Sequence, residues 1–274
     1  MKKLTDLLLI TVMGVFFLAG CGVLQEPEAA SGPIEAIPLE TQSAGVVAEP
    51  TSPALDAAPT EAMDEPVATP EATVESTAEI AAPTEEPTAE IVVAPTTATV
   101  FTIDPAASEV RFQLDEDLRG VRTTVIGVTD QVAGQLSLNL ADLSQTQVGV
   151  IQINARTLVT DNNFRNRAIQ NEILDTGSFE FITFAPTGIE GLPASAAVGD
   201  TVSFTLVGDL TIRDVTLPAT FAVEATAVSD SQITGSATAV VNRVDFGLQI
   251  PSVPSVANVE EEVELTIDFT ANAS

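Results

Sequence analysis

Regular alternation of apolar and polar residues between Thr201 and Val223 predicts a long β-hairpin. A period of two places one set of side chains on a dry face and the other set in water, as in a half-buried strand. The alternation breaks at Arg213-Asp214, and this polar dipeptide supplies the reversal between two strands. The apolar set comprises Val202, Phe204, Leu206, Val215, Leu217, Ala219, Phe221 and Val223.

Two residues inside the hairpin predict departures from regular pairing. Gly208 indicates a bulge or a bend in the first strand. Pro218 indicates an edge or bulge position in the second strand, because proline has no backbone N–H to donate to a ladder. The dry face of so long a hairpin needs other strands to cover it.

The rest of residues 99–274 supplies candidate strands, separated by turn residues. One segment, Asn162–Ile173, instead spaces its apolar residues as a short helix does, with Asp161 or Asn162 as the N-cap. We predict an all-β domain, an antiparallel barrel or sandwich with one short helix, and strands of this length favour a barrel because closure removes sheet edges. The predicted strands are Val100–Ile103, Glu109–Leu114, Thr123–Thr129, Gln131–Leu140, Gln147–Ile153, Phe179–Pro186, Thr201–Ile212, Thr216–Ala227, Gln232–Val241 and Glu262–Ala271.

Residues 22–98 have a different composition, rich in proline, threonine, glutamate and alanine, without an aromatic or a basic residue. Such a segment cannot bury enough apolar surface to offset its chain entropy, so we predict a disordered linker. A flexible chain of this length spans roughly 50 Å root-mean-square, which would let a C-terminal domain stand away from a membrane. A partner-binding tail is the alternative.

Residues 1–21 predict export and anchoring. Lys2 and Lys3 precede an apolar run of 12 residues, Leu7–Leu18, which is too short to span a bilayer. The run ends in Leu-Ala-Gly-Cys and resembles a bacterial lipoprotein signal peptide, in which the cysteine, here Cys21, becomes the lipidated first residue. The resemblance implies a membrane-anchored lipoprotein of the cell envelope, on its periplasmic or extracellular face. The alternative is an ordinary cleaved signal that leaves a free cysteine.

Charge and composition argue against several classes of function. The net charge of −29 repels nucleic acid and anionic lipid surfaces, so no nucleic-acid partner is expected. The chain has no histidine, tyrosine or tryptophan, which removes the commonest general base and metal ligand. We therefore predict neither a catalytic site nor a metal site, and no enzyme activity.

Four ordered segments of residues 99–274 are Phe101–Asp104 with Ser108–Phe112, Thr160–Asp175 with Phe179–Phe184, Gly208–Ile212 with Val215–Pro218, and Asn242–Gly247. Together they resemble motifs of the YceI-like family. The resemblance implies a lipocalin-like antiparallel β-barrel of about eight strands.

The resemblance also implies a function, which is binding of a polyisoprenoid chain, such as a quinone tail, or another long lipid in the apolar interior. The bound isoprenoid would be a ligand, and no cofactor is predicted. Carriage, storage and stress protection are the expected roles, and a membrane-tethered interaction module with a packed interior is the alternative. The candidate interior residues are Phe112, Val150, Phe184, Phe204, Leu206, Leu210, Phe221 and Phe246.

This chain departs from the family pattern at two histidine positions. Its helix contains Arg165-Asn166-Arg167 without a histidine, and its hairpin turn reads Arg213-Asp214 where relatives carry His-Gly. Arg167 and Arg213 are therefore the candidate polar contacts at the mouth, as permanently charged donors.

Overall fold

The computed structural model describes residues 25–39 and 98–274, and residues 98–274 form one antiparallel sheet of thirteen strands. The strands are β1 (Thr99–Ile103), β2 (Glu109–Leu118), β3 (Val121–Thr129), β4 (Val132–Ala133), β5 (Gln135–Asn139), β6 (Asp142–Val148), β7 (Ile151–Asn154), β8 (Phe181–Glu190), β9 (Thr201–Ile212), β10 (Val215–Ser229), β11 (Gln232–Asn242), β12 (Val256–Ala257) and β13 (Glu262–Ala273). The helical elements are α1 (Asn163–Ala168), a π-helical turn (Ile169–Ile173) and two 3-10 turns (Pro105–Ala107 and Ala155–Thr157).

The predicted hairpin is confirmed as β9 and β10, which pair without interruption from Val215↔Ile212 to Thr226↔Thr201. Pro218 lies where β10 pairs with β9 alone, because pairing with β11 begins only at Ala222. The missing N–H of Pro218 therefore faces away from any ladder. The irregularity indicated by Gly208 lies in the neighbouring strand, between Pro186 and Gly188 of β8.

The sheet closes on itself, which confirms the predicted barrel. The strand order runs β4-β7-β8-β9-β10-β11-β13-β1-β5, and β4 and β5 are two parts of one stretch of chain interrupted at Gly134. β5 pairs with β1, while β4 pairs with β7 and so completes the ring. Counting β4 with β5 and β6 with β7, the ring has eight positions.

A second closure completes the other end of the barrel. The N-terminal half of β13 pairs with β2, and β2 pairs with β3. Val128 of β3 then exchanges two backbone hydrogen bonds with Val159, which follows β7, at 2.9 and 3.0 Å. The barrel therefore has a β1–β5 end and a β2–β3 end.

The helical segment was also predicted correctly. Asn162 is the N-cap of α1, and its side-chain oxygen accepts hydrogen bonds from the amides of Phe164 and Arg165 at 2.9 and 3.2 Å. Capping satisfies amide groups that the helix itself leaves unpaired. Together, α1 and the π-helical turn cover the β2–β3 end of the barrel.

The strand prediction was wrong at several places, including the predicted strand Gln131–Leu140, which is interrupted at Gly134, and the start of β6 at Asp142, predicted as a turn. Two further differences have a clear physical reason. The predicted strand Gln147–Ile153 is divided between the end of β6 and all but the last residue of β7, because the chain turns at Gly149, whose amide donates to the carbonyl of Gln135 at 2.8 Å. The region after Pro186, predicted as a turn from Gly188, continues β8 to Glu190. A bulge restores the pairing of β8 with β9 beyond Pro186, and this long-range pairing overrides the local turn composition.

Residues 25–39 lie against the outside of the barrel, and we call them the N-terminal strap. Arg156 binds it in two ways, through an ion pair with Glu28 at 2.9 Å and a hydrogen bond to the carbonyl of Ala29 at 3.1 Å. Ile34 is only 8% exposed, and the amide of Leu39 donates to the side chain of Gln135 at 3.0 Å. The structure of residues 25–39 therefore differs from the sequence-based prediction, which placed these residues in a disordered linker.

The linker prediction for residues 40–97 stays a prediction, because those residues lie outside the described part of the chain. The predicted signal peptide and lipidated Cys21 lie outside it as well. Within the two described ranges, no helix is both long and apolar enough to cross a membrane.

Glu180 is the acidic group on the barrel that holds the strap. Burial of its carboxylate would by itself raise the pKa, but hydrogen bonds from the amide and side chain of Ser31, a hydrogen bond from Asn154 and the charge of Arg156 together lower the pKa below its ordinary value of 4.5. The Ser31 amide donates to Oε1 of Glu180 at 2.8 Å. Glu28 shares Arg156 with Glu180, so the strap closes a cluster of two carboxylates and one guanidinium.

Acid is expected to release the strap. Because the pKa of Glu180 is lowered by docking, the stabilisation is fully present above the ordinary pKa of 4.5 and is lost as the pH falls through the lowered value. The measurement is the hydrogen-exchange protection of the Ser31 amide by NMR, corrected for the intrinsic exchange rate at each pH. Protection of the Leu206 amide is the control for the folded barrel, and Ser31 protection that persists unchanged through this pH range would contradict the prediction.

Candidate ligand-binding cavities

The interior of the barrel contains a cavity of about 570 Å³, which we call the main cavity. It occupies the β2–β3 end, and its wall is formed by side chains from β2, β8, β9, β10 and β13, by α1 and the π-helical turn, and by the loop between β11 and β13. Most of the wall is aliphatic or aromatic, and Phe112, Phe184, Leu210, Phe221 and Phe246 all contribute to it. The volume lies in the range of sites that enclose small organic ligands, which is about 300–1,000 Å³.

The main cavity has a mouth, because several of its wall residues are also exposed to solvent. Phe164 of α1 is 66% exposed and Val253 of the β11–β13 loop is 41% exposed, and both line the cavity. Asn162, the N-cap of α1, and Arg119, in the turn between β2 and β3, are likewise exposed wall residues. The opening therefore lies between α1, the β2–β3 turn and the β11–β13 loop.

A smaller cavity of about 120 Å³ lies at the β1–β5 end, and we call it the inner cavity. Its wall includes Leu136, Leu138, Phe204 and Leu206 and is almost entirely apolar. Thr146 is an exception, because its buried hydroxyl lines this cavity and has no hydrogen-bond partner among the described residues.

Phe184 and Phe221 separate the two cavities. Both rings line the main and the inner cavity, and they meet edge to face with centroids 4.8 Å apart and an interplanar angle of 65°. Edge-to-face pairs of this kind contribute about 0.5–1.5 kcal/mol beyond the burial of their area. The pair therefore forms a partition across the middle of the barrel.

Seven of the eight interior residues predicted from the sequence line these cavities. Val150 is the exception, because it lies in the short connection between β6 and β7 and lines neither wall. Phe112, Leu210 and Phe246 line the main cavity, Phe204 and Leu206 line the inner cavity, and Phe184 and Phe221 line both.

The charges of the main cavity are opposite in sign to those of the chain. Four arginines line it but only one acidic residue, Glu116, does so. By contrast, residues 99–274 contain 8 arginines and 23 acidic residues, a net charge of −15. The four arginines are Arg111, Arg119, Arg165 and Arg243.

Three of these arginines already have partners. Arg165 of α1 pairs with Glu116 of β2 at 2.8 Å and also with Asp161, which ties the helix to the barrel. Arg111 contacts the carboxylates of Glu109 and Asp268, each at 3.4 Å.

Arg243 holds the loop that covers the cavity. It donates hydrogen bonds to the carbonyls of Leu248, Val259 and Glu260 at 2.9–3.3 Å.

Arg119 is the wall arginine whose guanidinium has no hydrogen bond or ion pair with any residue of the described ranges. Its backbone is held in place, because its amide donates to the carbonyl of Ser255 at 2.8 Å. Its side chain is exposed at the mouth of the main cavity. A charged donor at the end of an apolar cavity can bind an acceptor or an anion at the end of a ligand.

The two arginines proposed from the sequence do not line either cavity. Arg213 instead donates to the carbonyl of Ile173 at 3.3 Å and lies 5.9 Å from the centroid of the Phe179 ring. Arg119 was not predicted, because the candidate polar contacts were chosen only at the positions where relatives carry histidine. The available signal was its position in the tight Arg119-Gly120 turn, where Arg119 has a φ of 54°. No group of three or more metal-binding side chains occurs within residues 25–39 and 98–274.

The chain is similar to several solved structures, and the first one below supports the fold. A polyisoprenoid-binding domain from Saccharophagus degradans, implicated in plant cell wall breakdown, is 15% identical with a TM-score of 0.51, covering 64% of this chain and 99% of that one. BcnA of Burkholderia cenocepacia is 20% identical with a TM-score of 0.47, covering 62% and 99% of the two chains. The YCEI protein of Campylobacter jejuni is 17% identical with a TM-score of 0.42, covering 52% and 81%.

Comparison with family models identifies a YceI-like domain. No protein of curated function matches the chain with significant similarity. The model of the YceI-like domain, however, matches residues 101–271, which is more than half of the chain and almost the whole barrel. The chain therefore belongs to the YceI-like family.

Proposed function

We propose that this protein binds one long apolar ligand, a polyisoprenoid chain or a fatty chain, inside the barrel at a membrane surface. The observation that carries the proposal is the main cavity, which is apolar over most of its wall, has a volume of about 570 Å³ and opens between α1 and two loops. The structural neighbour from Saccharophagus degradans is itself a polyisoprenoid-binding domain, which supports the same class of ligand.

Tight binding of such a ligand requires no reactive group in the protein. Each buried methylene contributes about 0.8 kcal/mol, so a chain of a few isoprene units reaches micromolar affinity even after the costs of immobilisation. Carriage, storage or protection of the ligand follows from shielding it from water. The protein therefore acts as a binding protein, without a catalytic step.

The alternative of an interaction module required a packed interior. The described barrel has two cavities instead, and the buried rings of Phe184, Phe221 and Phe246 line them without filling them. We therefore prefer the carrier function to the interaction module.

The location at a membrane rests on the sequence. A lipoprotein signal ending at Cys21 supports an acylated, envelope-located protein on the periplasmic or extracellular face. A diacyl anchor of this kind binds a bilayer stably, because two acyl chains exceed the marginal binding of one.

The headgroup of the ligand belongs at the mouth, next to Arg119. Its guanidinium has no side-chain or backbone acceptor among the described residues, and it lines the cavity at an exposed position. The groups that match it are acceptors or anions, such as a quinone carbonyl, a carboxylate or a phosphate. An ammonium headgroup is disfavoured by the excess of arginine in this wall.

The test of the proposed function is native mass spectrometry of the protein after mild extraction from the membranes that hold it. We expect a co-purifying prenyl or acyl lipid, and displacement of a fluorescent prenyl probe by unlabelled prenyl quinone. A barrel that carries no lipid and binds no prenyl probe would show that the proposed function is wrong.

Shortening the partition is expected to change which ligands bind. In Phe184→Leu the ring that separates the two cavities is reduced, so the space of the inner cavity becomes accessible from the main cavity. Within a series of prenyl alcohols of increasing length, the length that binds most tightly should increase, as measured by competition with a fluorescent probe.

The matched control is Phe101→Leu, because Phe101 is as deeply buried as Phe184 but lines neither cavity. Both substitutions are expected to lower the free energy of unfolding by about 1–2 kcal/mol. If Phe101→Leu shifts the preferred length equally, or if Phe184→Leu shifts nothing, the partition does not determine ligand length.

Removing the charge at the mouth is expected to weaken binding of ligands with an anionic or acceptor headgroup. Arg119→Gln should lower the affinity for a prenyl phosphate by about three- to tenfold, since one charge-assisted hydrogen bond at an exposed position contributes roughly 0.7–1.4 kcal/mol. Isothermal titration calorimetry with a prenyl phosphate and with the corresponding prenyl hydrocarbon measures the difference.

Arg167→Gln provides the control for this substitution. Arg167 also has no partner among the residues described, but it lines neither cavity. Equal losses in the two variants, or an equal loss for the hydrocarbon, would argue against a headgroup contact at Arg119.

A further inference from the structure

The N-terminal strap begins beside the mouth of the main cavity. Asn171 of the π-helical turn donates a hydrogen bond from its side chain to the carbonyl of Gln25 at 2.8 Å. Ile169 and Ile173, on either side of Asn171, line the main cavity. Phe164 at the mouth is seven residues earlier, which is about 10 Å along a helix of 1.5 Å rise per residue. The described chain therefore starts at the mouth end of the barrel.

Cys21 precedes Gln25 by only four residues. Four residues of extended chain span at most about 14 Å. An acyl anchor on Cys21 would therefore hold the membrane surface close to the mouth, whatever conformation residues 22–24 adopt.

The strap fixes this arrangement along the outside of the barrel. From Gln25 it passes Arg156 and Glu180, buries Ile34 and reaches Gln135 of β5 at Leu39. Without these contacts, Cys21 and Thr99 would be joined only by a chain of 77 residues, whose root-mean-square end-to-end distance is roughly 50 Å. The barrel would then have no fixed orientation relative to the anchor. With them, only four positions separate Cys21 from Gln25, which is bound to the barrel through Asn171.

The mouth itself carries side chains suited to a lipid surface. Phe164 and Val253 are exposed there, and the unpaired guanidinium of Arg119 lies in the same rim. Apolar side chains enter the boundary between headgroups and acyl chains, and arginine binds lipid phosphates. The local excess of arginine at this cavity also offsets the repulsion that the acidic domain exerts on lipid phosphates.

We infer that the strap holds the barrel with the mouth of the main cavity against the bilayer that anchors Cys21, so that Phe164 and Val253 contact lipid. The ligand then passes between bilayer and cavity without crossing water. This inference rests on the proposed function for the acyl anchor and for the ligand, and it adds the orientation and the docking surface.

The experiment uses the full chain with acylated Cys21, confirmed by intact mass spectrometry, in phosphatidylcholine vesicles that contain spin-labelled lipid. A fluorescent probe is attached to one introduced cysteine, in Val253→Cys at the mouth or in Val198→Cys as the control. Val198 is also an exposed valine, at 49%, but it lies in the β8–β9 loop at the opposite end of the barrel. We expect the spin label to quench the probe at position 253 several-fold more than the probe at 198.

A second pair of variants tests the role of the strap. Ile34→Asp places a charge at a buried strap position, whereas Ile37→Asp places the same charge at an exposed strap position. Ile34→Asp should lower quenching at position 253 to the level at 198, and Ile37→Asp should leave it unchanged. Both substitutions lie outside the barrel, so its fold is retained.

Three results would overturn the inference: equal quenching at 253 and 198, quenching at 253 that survives Ile34→Asp, or a Cys21 that carries no acyl chain. Binding of a fluorescent prenyl probe, measured on the same proteins in detergent, distinguishes this inference from the proposed function. Normal binding with equal quenching refutes only the orientation. Lost binding with preserved quenching refutes only the ligand.

Discussion

Closure of the sheet at Gly134 is the constraint on which the interior depends. The carbonyl of Gly134 accepts the amide of Ile103 in β1 at 3.0 Å, and the two preceding residues pair with β7. One stretch of chain thus pairs with both edges of the sheet and makes a ring. A Cβ atom at position 134 would lie 2.4 Å from the terminal Cδ1 methyl of Ile151, so any larger residue would force that side chain to move. Without closure, the long strands would present unpaired edges and the interior would open to water.

The ring creates an interior, and the side chains divide it unevenly. At the inner end, aliphatic side chains from β5 and β9 leave only about 120 Å³, whereas the mouth end leaves about 570 Å³. The edge-to-face contact of Phe184 with Phe221 marks the boundary. The charged wall residues belong mostly to the main cavity, where Arg165 and Arg243 hold the helix and the loop that frame the opening. The domain therefore combines a largely apolar interior with a charged mouth, which is the arrangement that the proposed binding of an amphiphile uses.

The strap connects this interior to the rest of the chain. Its contacts are polar at Arg156 and Glu180 and apolar at Ile34, so docking combines charge pairing with burial of apolar surface. Leu39, the last described residue before residues 40–97, donates a hydrogen bond to Gln135 of β5. β1, which follows residues 40–97, also pairs with β5. The described residues on both sides of this segment therefore lie next to β5.

Elements whose signals are local could be predicted from the sequence. The alternation in β9 and β10, the Arg213-Asp214 turn and the Asn162 cap all act within a few residues, and they predicted the hairpin and the helix. Strand length and the family resemblance favoured the barrel over a sandwich. The remaining features depend on contacts between residues that are distant in the chain. Arg119 and Arg213 are alike as residues in tight turns, and only long-range pairing places one at the mouth and turns the other toward Ile173. The strap has the composition of a linker, and its docking depends on Arg156, Glu180 and Gln135, which lie about a hundred or more residues further along the chain.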